Sequence, residues 1–474
     1  GVALYFEGDN TTPGISGFIP VDDIETLLDV ISDVADVEES GDGKYTIVAP
    51  DGTEFQVVEK GGYALFASRA DLLELLPTEP EQMLGKKSAK YNLAFNISPQ
   101  NIPKELRDQA LDTIKEGLTQ TLDQLDEELE EMQQKNLDSQ MRQFEMLFND
   151  SETIMIGMSA DADKQKLYTD LEFTAKAGSE LAKKTNETKA TTPSKFSGFL
   201  MPNAAMNFNA NGKMPEADAE TYANLMAEGK KSMIDQLNEA GELSEAEFEK
   251  MEALIESVVD VMTETLKEGV VDSGACVVLE DSDANMIGGL TVADPAKIET
   301  AVKDLVPMLK ERLADIDDPD APEFTFNLDK ETQDGVRFHQ ILISIDDPIA
   351  SEMFGDSIEA IIGFGEDSIY FGVGNDPLPM IKKAKASKQE TEFSSEMNIR
   401  LAPIMKYASR FPDTPPQVII LAEELSENGG DRIRAYSKHI PNGSFTRFEM
   451  EDGILSLIKS AYEAFQQQGF RNDF

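Results

Sequence analysis

Gly1-Val-Ala-Leu-Tyr-Phe-Glu7 returns later in the chain as Gly274-Ala-Cys-Val-Val-Leu-Glu280. The segments that follow also match in pairs, Gly17–Val21 with Gly289–Val292 and Ile24–Leu28 with Ile298–Val302. Recurrence of this kind is typical of architectures built from a repeated supersecondary unit, which buries its apolar face against its neighbours. The pattern therefore predicts an internal duplication, and it tells against a single compact active site.

A smaller module recurs inside the duplication, in the order strand, long helix, second helix, two-stranded hairpin and helix. Its copies begin at Tyr91, Met206 and Met397. In the first copy, apolar residues spaced by three and four predict a helix that packs by one face; they are Leu106, Ala110, Ile114, Leu118, Leu122, Leu125 and Leu129. In the third copy, the hairpin is predicted to pair Val418–Leu421 with Arg432–Lys438.

Two β-rich inserts, at residues 34–90 and 315–396, separate the copies. Because hairpins alternate with helices, the predicted fold class is α+β, with antiparallel sheets layered with long amphipathic helices. The predicted domains are a first repeat over 1–203 (a half module, the insert 34–90 and a full module over 91–185), the helical part of a second module over 204–273, and a second repeat over 274–474 (a hairpin, the insert 315–396 and a terminal module over 397–474). Predicted linkers are Lys184–Ser197 and Asp315–Pro322.

The composition is strongly acidic. Of 474 residues, 90 are Asp or Glu and 42 are Lys or Arg, which gives a formal net charge of −48. Such a charge repels phosphates, so neither nucleic acid nor an anionic membrane surface is an expected partner. It favours divalent cations and basic partners. The sequence contains no apolar run long enough to form a transmembrane segment.

Residues for nucleophilic catalysis are scarce. Cys276 is the one cysteine, and His339 and His439 are the two histidines. Both histidines lie in strand-like segments, away from a recognisable nucleophile elbow, so a Ser-His-Asp or Cys-His mechanism is not expected. Zinc is not expected either. Gly363-Phe-Gly365 and Gly372-Val-Gly374 lack the third glycine of a nucleotide loop and are interpreted as close backbone packing.

Calcium is the metal that the charge favours, and no other cofactor is expected. Asp281-Ser-Asp-Ala-Asn285 begins like an EF-hand loop, but its sixth position is Met286 and its twelfth is Val292. The weak candidate ligands are Asp161, Asp163, Asp281, Asp283, Asp317, Asp318 and Asp320. Each cluster also fits a solvated turn, where Asp is common. Diffuse cation binding by the acidic surface is the expected mode.

Three segments carry a family likeness: Gly17-Phe-Ile-Pro-Val-Asp-Asp23, the turn Pro50-Asp-Gly52, and Gly62-Tyr-Ala-Leu-Phe-Ala-Ser68. In this order, with their helices, they resemble uncharacterised exported proteins of planctomycete-type bacteria, a bacterial domain of unknown function. The resemblance implies export to the periplasm, the cell surface or the extracellular space. It supplies no catalytic residues.

Three functions follow as hypotheses. The first is a non-catalytic exported structural or interaction protein that assembles with itself, into an oligomer or an extracellular array, with divalent cations screening its charge. The second is a binding module of the cell envelope for a lipid or another hydrophobic ligand, with Met155, Met158, Met201 and Met206 as an adaptable lining. The third is a hydrolase that uses paired carboxylates. We expect that the chain is not an enzyme.

Overall fold

The computed structural model describes the chain except for residues 1, 6–13, 42, 51, 77–89, 123–136, 138–140, 191, 242, 281, 282, 315–321, 346–350, 352–354, 388, 390, 391, 412, 413 and 460–474. The chain divides into two compact units, Gly1–Ser159 and Ala160–Phe474. The predicted repeats are defined by sequence similarity, so the division into compact units does not test their boundaries, which stay a prediction.

Among its described residues, the first unit has eight strands and three helices with defined bounds. The strands are β1 (Val2–Tyr5), β2 (Gly14–Pro20), β3 (Asp36–Gly41), β4 (Lys44–Val48), β5 (Glu54–Lys60), β6 (Tyr63–Ala67), β7 (Leu93–Ile97) and β8 (Ser151–Asp161), which ends in the second unit. The helices are α1 (Ile24–Ser32), α2 (Ala70–Leu75) and α3 (Lys104–Leu122). Residues 141–150 are also helical.

The second unit alternates strands with longer helices. Its strands are β9 (Lys166–Ala175), β10 (Met206–Lys213), β11 (Val270–Leu279), β12 (Ala284–Thr291), β13 (Phe324–Gln333), β14 (Val336–Ser344), β15 (Ser357–Phe364), β16 (Ser368–Gly374), β17 (Ser395–Arg400), β18 (Arg432–Ile440) and β19 (Gly443–Glu451). Its helices are α4 (Glu180–Glu187), α5 (Glu216–Ala240), α6 (Glu245–Glu268), α7 (Pro295–Ala314), α8 (Pro377–Ala386), α9 (Leu401–Ala408) and α10 (Pro416–Asn428). Residues 452–459 are helical as well.

The same order of neighbouring strands occurs in both units. The first unit has a sheet in the order β1-β2-β6-β5-β4-β3. The strands β7 and β8 of the same unit pair with each other outside that sheet. The second unit has the order β13-β14-β15-β16-β12-β11-β10-β17-β18-β19-β9. Its segment β11-β12-β16-β15-β14-β13 follows the order of the first sheet strand for strand, and α1 and α7 occupy matching places in the chain. Matching topology is what a duplication requires, although the duplication itself stays a prediction.

Antiparallel pairing holds throughout the described strands. The pairs include the hairpins β11–β12 and β18–β19 and the contacts between modules, β10–β17 and β19–β9. The predicted α+β class, with antiparallel sheets and helices, is therefore confirmed.

One face of the second unit's sheet carries its main core, and we call it the Phe196 face. Cys276, Ile287 and Phe338 project from this face and pack with Phe196 and with Ile381 of α8. Phe196 is fully buried. The prediction of a linker over Lys184–Ser197 is therefore wrong, because its start belongs to α4 and its end contributes the central side chain of the core.

The hairpin predicted in the third module also needs correction. Val418–Leu421 lies inside α10, and the observed hairpin pairs β18 with β19. A run of β-branched residues favours a strand, but here Pro416 occupies the first turn of the helix. The good helix formers Leu421–Leu425 then extend that helix.

The opposite face of the same sheet is named the Met206 face. It carries Met206, Met286 and Ile362, since their strand positions are linked by cross-strand register. At the β15–β16 end, Val261 of α6 and Ile298 of α7 cover this face. Ion pairs hold the helices together in that region, with Lys230 of α5 and Lys297 of α7 both bound to Asp260 of α6. The helices therefore cover one end of the Met206 face.

Candidate functional site

A buried charged cluster joins α7 to the strands β13 and β14. Glu299, Asp329 and His339 place possible metal-ligating atoms within 4.8 Å of one another. Glu299 is 4% exposed and His339 is 3% exposed. Asp329 adopts a positive φ of 52° at the bulge in β13, and its side chain is exposed. Geometry alone therefore makes this cluster the first candidate site among the described residues.

Hydrogen bonds fix the protonation of His339. The backbone N–H of Asp329 donates to Nδ1 at 2.9 Å, so the ring proton lies on Nε2. That nitrogen faces Oε1 of Glu299 at 3.2 Å and donates to it. Burial lowers the pKa of His339. The ring is therefore neutral at pH 7, and both of its nitrogens are occupied.

Two cations neutralise Glu299. Arg337 donates Nε to Oε1 at 2.9 Å and also contacts Oε2 through Nη2, and Lys303 lies 3.0 Å from Oε1. The hydrogen bonds from Arg337 are the main reason that the pKa of Glu299 falls from 4.5 to about 2. Lys303 also binds Asp329 at 2.8 Å. Two carboxylates thus face two cations.

This charge balance disfavours a metal at the cluster. A divalent cation would have to displace the ammonium of Lys303 and remove the proton from Nε2 of His339, because metal ligands must be deprotonated. Arg337 would remain beside it and repel it. The arrangement is instead suited to joining α7 to the strand pair. We therefore assign Glu299 and His339 a structural role.

Three of the carboxylates proposed from sequence are described, Asp161, Asp163 and Asp283, and none of them belongs to this cluster. Asp161 ends β8 and binds the ammonium of Lys164 at 2.6 Å, and this hydrogen bond lowers its pKa. Asp163 is exposed in the same turn. Asp283 accepts a backbone hydrogen bond from Glu280 in the turn after β11. Asp281, Asp317, Asp318 and Asp320 lie outside the described residues. Calcium binding at these residues stays a prediction.

The glycine pairs of the second insert have a packing role. A Cβ on Gly363 would lie 2.5 Å from the ring of Phe338, and one on Gly372 would lie 2.7 Å from Pro377 of α8. Gly363 pairs directly with Tyr370 in the β15–β16 ladder. The interpretation of these glycines as close backbone packing in a strand pair is confirmed.

The Met206 face exposes large apolar side chains on the strands β16, β12, β10, β17 and β19. Met286 of β12 is directly opposite Val373 of β16, and Phe208 of β10 is directly opposite Met397 of β17. Phe448 of β19 continues the row that contains Phe208 and Met397, through Ala435 of β18. The exposed fraction of these residues lies between 37% and 46%; they are Met206, Met286, Val373, Phe208, Met397 and Phe448. We call this group the apolar strip.

The four methionines proposed as a ligand lining divide into two pairs. Met155 and Met201 are buried, whereas Met158 and Met206 are exposed. Met201 belongs to the core on the Phe196 face, and Met206 belongs to the apolar strip. The hypothesis of an adaptable apolar surface is therefore compatible with Met158 and Met206.

Two adjoining cavities lie near the ends of β11 and β17. The larger has a volume of about 750 Å³ and is lined by α9, α10 and the strand ends. The smaller has a volume of about 220 Å³ and shares Leu425 and Gly429 with it. Three basic residues, Arg400, Lys406 and Arg410, line the larger cavity. Sequence reasoning did not find this group, although Met397–Phe411 contains no acidic residue.

The buried cluster was also missed, for a physical reason. Glu299 lies in the repeated motif Ile298-Glu-Thr300, whose counterpart is Ile24-Glu-Thr26. Glu25 is exposed, whereas Glu299 is buried. The motif therefore could not distinguish a solvated carboxylate from a buried one, and only the neighbouring strand β14 brings Arg337 and His339 to it.

No family model, curated protein or solved structure matches this chain. The likeness to planctomycete-type exported proteins therefore stays a prediction. Within the described part of the chain, no helix is both long enough and apolar enough to cross a lipid bilayer.

Proposed function

We propose that this chain is a non-catalytic interaction protein that binds further copies of itself through the apolar strip. The observation that carries the proposal is the row of exposed apolar side chains on β12, β10, β17 and β19. Contiguous exposed apolar surface marks interaction sites more often than isolated apolar residues do. The resemblance described above makes an exported location, outside the cytoplasm, part of this proposal.

The geometry of the strip suits association between identical chains. Each strand pair presents side chains at matched register, as Phe208 and Met397 do, so the strip is a row of side chains across one face of the sheet. A second copy can place the same strip against it around a two-fold axis. Burying apolar surface contributes about 25 cal/mol per Å² of area removed from water.

The charge of the chain opposes this association and makes it depend on ions. Two copies of net charge −48 repel each other. Salt screens exposed charges beyond about 8 Å at an ionic strength of about 0.15 M. Divalent cations bound diffusely to carboxylates reduce the net charge itself. We therefore expect association to strengthen when millimolar calcium or magnesium is added.

A non-catalytic role fits the buried titratable groups described above. Glu299 is neutralised by Arg337 and Lys303, and both nitrogens of His339 are occupied. A general acid or base needs a proton that can reach a substrate. In this cluster the proton on Nε2 of His339 is held by Glu299 inside the fold, so the cluster lacks that property.

Light scattering coupled to gel filtration tests the proposal. The unmodified chain is expected to form a dimer or larger species in about 0.15 M salt with millimolar calcium. Phe208→Glu, which places a carboxylate in the strip, is expected to shift it to the monomer. Ile420→Glu is the matched control, since it changes an exposed apolar side chain of α10 by the same charge. A monomeric unmodified chain under all conditions contradicts the proposal, as does equal dissociation by both variants.

A hydrophobic ligand is the second candidate, because methionines form half of the strip. Met206, Met286 and Met397 have flexible thioether side chains that adapt to ligands of irregular shape. In this case, native mass spectrometry is expected to find a monomer with a bound lipid, and Phe208→Glu is expected to remove that lipid. A monomer without a ligand excludes this candidate.

A further inference from the structure

We propose that β7 of the first unit pairs with β7 of a second copy of the chain, edge to edge, as an antiparallel strand pair. The strand spans Leu93–Ile97, and β8 pairs with it on one side. No described strand lies on its other side, which we call the outer edge of β7. This contact belongs to the first unit, so it does not depend on the apolar strip of the second.

The outer edge of β7 lacks the protection that two other strands at the ends of sheets have. β3 carries Glu38 and Glu39 and contains a bulge. β13 carries Lys330 and Glu331 and also contains a bulge. Charged side chains and bulges are the usual means by which edge strands avoid pairing with other chains. β7 has no charged residue and pairs with β8 without a shift of register, so its outer edge is suited to pairing.

The side chains of β7 are apolar and exposed. Leu93 is 48% exposed and Phe95 is 53% exposed. Residues 91–103 contain no charged side chain, although 28% of the whole chain is charged. The buried ring of Tyr91 packs on Gly157 of β8, which holds the start of β7 in place. Two copies can therefore meet along β7 without bringing charged side chains of this segment together.

The second unit shows how strands of this type pair with one another. β7, β10 and β17 each precede helical segments, and each pairs with the first strand that follows those segments, which is β8, β11 or β18. β10 and β17 also pair with each other through their remaining edges. The edge used in that contact corresponds to the outer edge of β7. Since β10 and β17 already occupy each other, the partner of the same type that remains is β7 of a second copy.

The pair formed by β10 and β17 also indicates the register. Asn207 is directly opposite Asn398, and the side-chain amide of Asn398 donates to Oδ1 of Asn207 at 3.0 Å. Each of these asparagines follows a methionine, so the pair is the centre of a local two-fold arrangement. Leu93–Asn96 matches Met206–Asn209 in sequence through the shared Phe-Asn. The match places Ala94 at the position of Asn207.

In the dimer, Ala94 of one copy is therefore directly opposite Ala94 of the other, on the two-fold axis. Leu93 of each copy is opposite Phe95 of the other. Directly opposite residues of an antiparallel pair have Cβ atoms about 4.5–5.5 Å apart, close enough for their side chains to pack. The pairing thus covers the two most exposed apolar side chains of the strand.

Cysteine crosslinking of the full chain tests this pairing. Ala94→Cys places two thiols across the axis, at a Cβ separation near the 3.5–4.5 Å or so of a disulfide. Native Cys276 is buried, and burial raises its pKa to about 12, so it does not compete. After mild oxidation or treatment with a short bis-maleimide, we expect a covalent dimer of Ala94→Cys. Thr325→Cys, at an exposed position of the edge strand β13, is the control and is expected to stay monomeric. Monomer from both variants, or equal dimer from both, overturns the proposal.

Two further substitutions in the Ala94→Cys chain locate the contact. Phe95→Glu is expected to abolish the crosslink, because it brings a carboxylate of each copy to the shared edge. Val30→Glu, at an exposed apolar position of α1, changes the charge equally and is expected to leave the crosslink intact. Equal loss with both substitutions would show only charge repulsion and would overturn the assignment.

Phe208→Glu separates this contact from the apolar strip. A crosslink of Ala94→Cys that persists with Phe208→Glu supports pairing through β7, even if the strip does not associate. A crosslink that is lost with Phe208→Glu assigns the dimer to the strip and overturns pairing through β7.

Discussion

The glycines that mark the sequence repeat have a packing role that the repeat itself did not reveal. Gly274 and Gly289 are directly opposite each other on β11 and β12. A Cβ on Gly274 would lie 2.7 Å from the carbonyl oxygen of Phe196. A Cβ on Gly289 would lie 2.5 Å from Cε1 of the Phe196 ring. The two glycines therefore form a socket for a fully buried phenylalanine.

Substitution of Gly289 by alanine is expected to destabilise the second unit. The added methyl group overlaps the ring of Phe196, which is packed against Phe199 and Tyr370 and cannot move freely. Overpacking of a core costs typically about 1–3 kcal/mol. A thermal unfolding scan is expected to show a lower midpoint for Gly289→Ala.

Gly229→Ala provides the control for this substitution. Gly229 lies within α5, and nothing lies within 4 Å of a Cβ placed there. Alanine stabilises a helix interior by about 0.5–1 kcal/mol relative to glycine. The two glycine-to-alanine changes are therefore expected to move the midpoint of thermal unfolding in opposite directions. A higher midpoint for Gly289→Ala would contradict the close packing of Phe196 on Gly289.

At the residue scale, the sequence repeat indicated the two glycines but not the side chain that packs against them. The repeat pointed to Gly274 and Gly289 because they recur. The side chain that needs them, Phe196, lies in a segment rich in Thr and Lys, which predicted a linker. Composition averages over such a segment, whereas burial depends on the one or two side chains that reach the core.

At the scale of elements, buried ion pairs connect strands and helices that are far apart in sequence. Asp170 of β9 is fully buried and directly opposite Arg447 of β19. Its carboxylate accepts from Nε at 2.5 Å and from Nη2 at 2.8 Å. The guanidinium carbon also lies 4.1 Å from the ring centroid of Tyr168. This pair fixes the register of β9 against β19, just as Glu299 fixes α7 against β14.

Glu299→Gln is expected to destabilise the second unit by about 1–3 kcal/mol at neutral pH, the usual cost of losing charge-assisted hydrogen bonds at a buried acceptor. The cations that lose their carboxylate are Arg337 and Lys303, whose side chains are 44% and 32% exposed, so water offsets part of the loss. Urea unfolding followed by circular dichroism measures the change, and Glu311→Gln, at an exposed position of α7, is the control with little expected effect.

The difference between the unmodified chain and Glu299→Gln is expected to shrink in acid. The pKa of Glu299 falls from 4.5 to about 2 on folding. A lowered carboxyl pKa contributes stability that is present above pH 4.5 and is lost as pH falls toward about 2. Burial lowers the pKa of His339, and the stability lost below pH 6.5 for this reason is lost by both proteins, so it does not account for the shrinkage. A constant difference from pH 7 to pH 3 would contradict this account.

At this scale, sequence periodicity predicted much of the fold and little of the candidate sites. The apolar spacing after Tyr91 predicted a helix, and α3 is observed over Lys104–Leu122, whereas Leu125 and Leu129 of the predicted stripe lie outside the described residues. The strand pattern around Gly274 predicted β11. The strand pattern at Val418–Leu421 failed because a proline at the first position of the helix and the good helix formers after it outweighed β-branching. Arg400 and Arg410 meet at one cavity only through the turn from β17 into α9, which leaves no periodic signal.

For the molecule as a whole, the net charge of −48 dominates its response to ions. Self-repulsion destabilises a compact chain whose charge is far from zero. The surface ion pairs, such as Lys104 with Asp108, are worth about 0–1 kcal/mol each and are weakened by salt. Because acidic residues outnumber basic ones 90 to 42, relief of repulsion outweighs the loss of pairing.

The midpoint of thermal unfolding is therefore expected to rise with sodium chloride. Between about 0.01 M and about 0.1 M salt, the screening length falls from about 30 Å to about 10 Å, which removes most long-range repulsion. We expect a rise of about 2 °C or more, the shift that corresponds to about 1 kcal/mol in a large domain. Sucrose at equal osmolality is the control, and a midpoint that falls with salt would reject the account.

A comparison of calcium with magnesium distinguishes diffuse from specific cation binding. Equal shifts of the unfolding midpoint at equal concentration indicate screening alone. A larger shift with calcium indicates an ordered site among the carboxylates proposed from sequence.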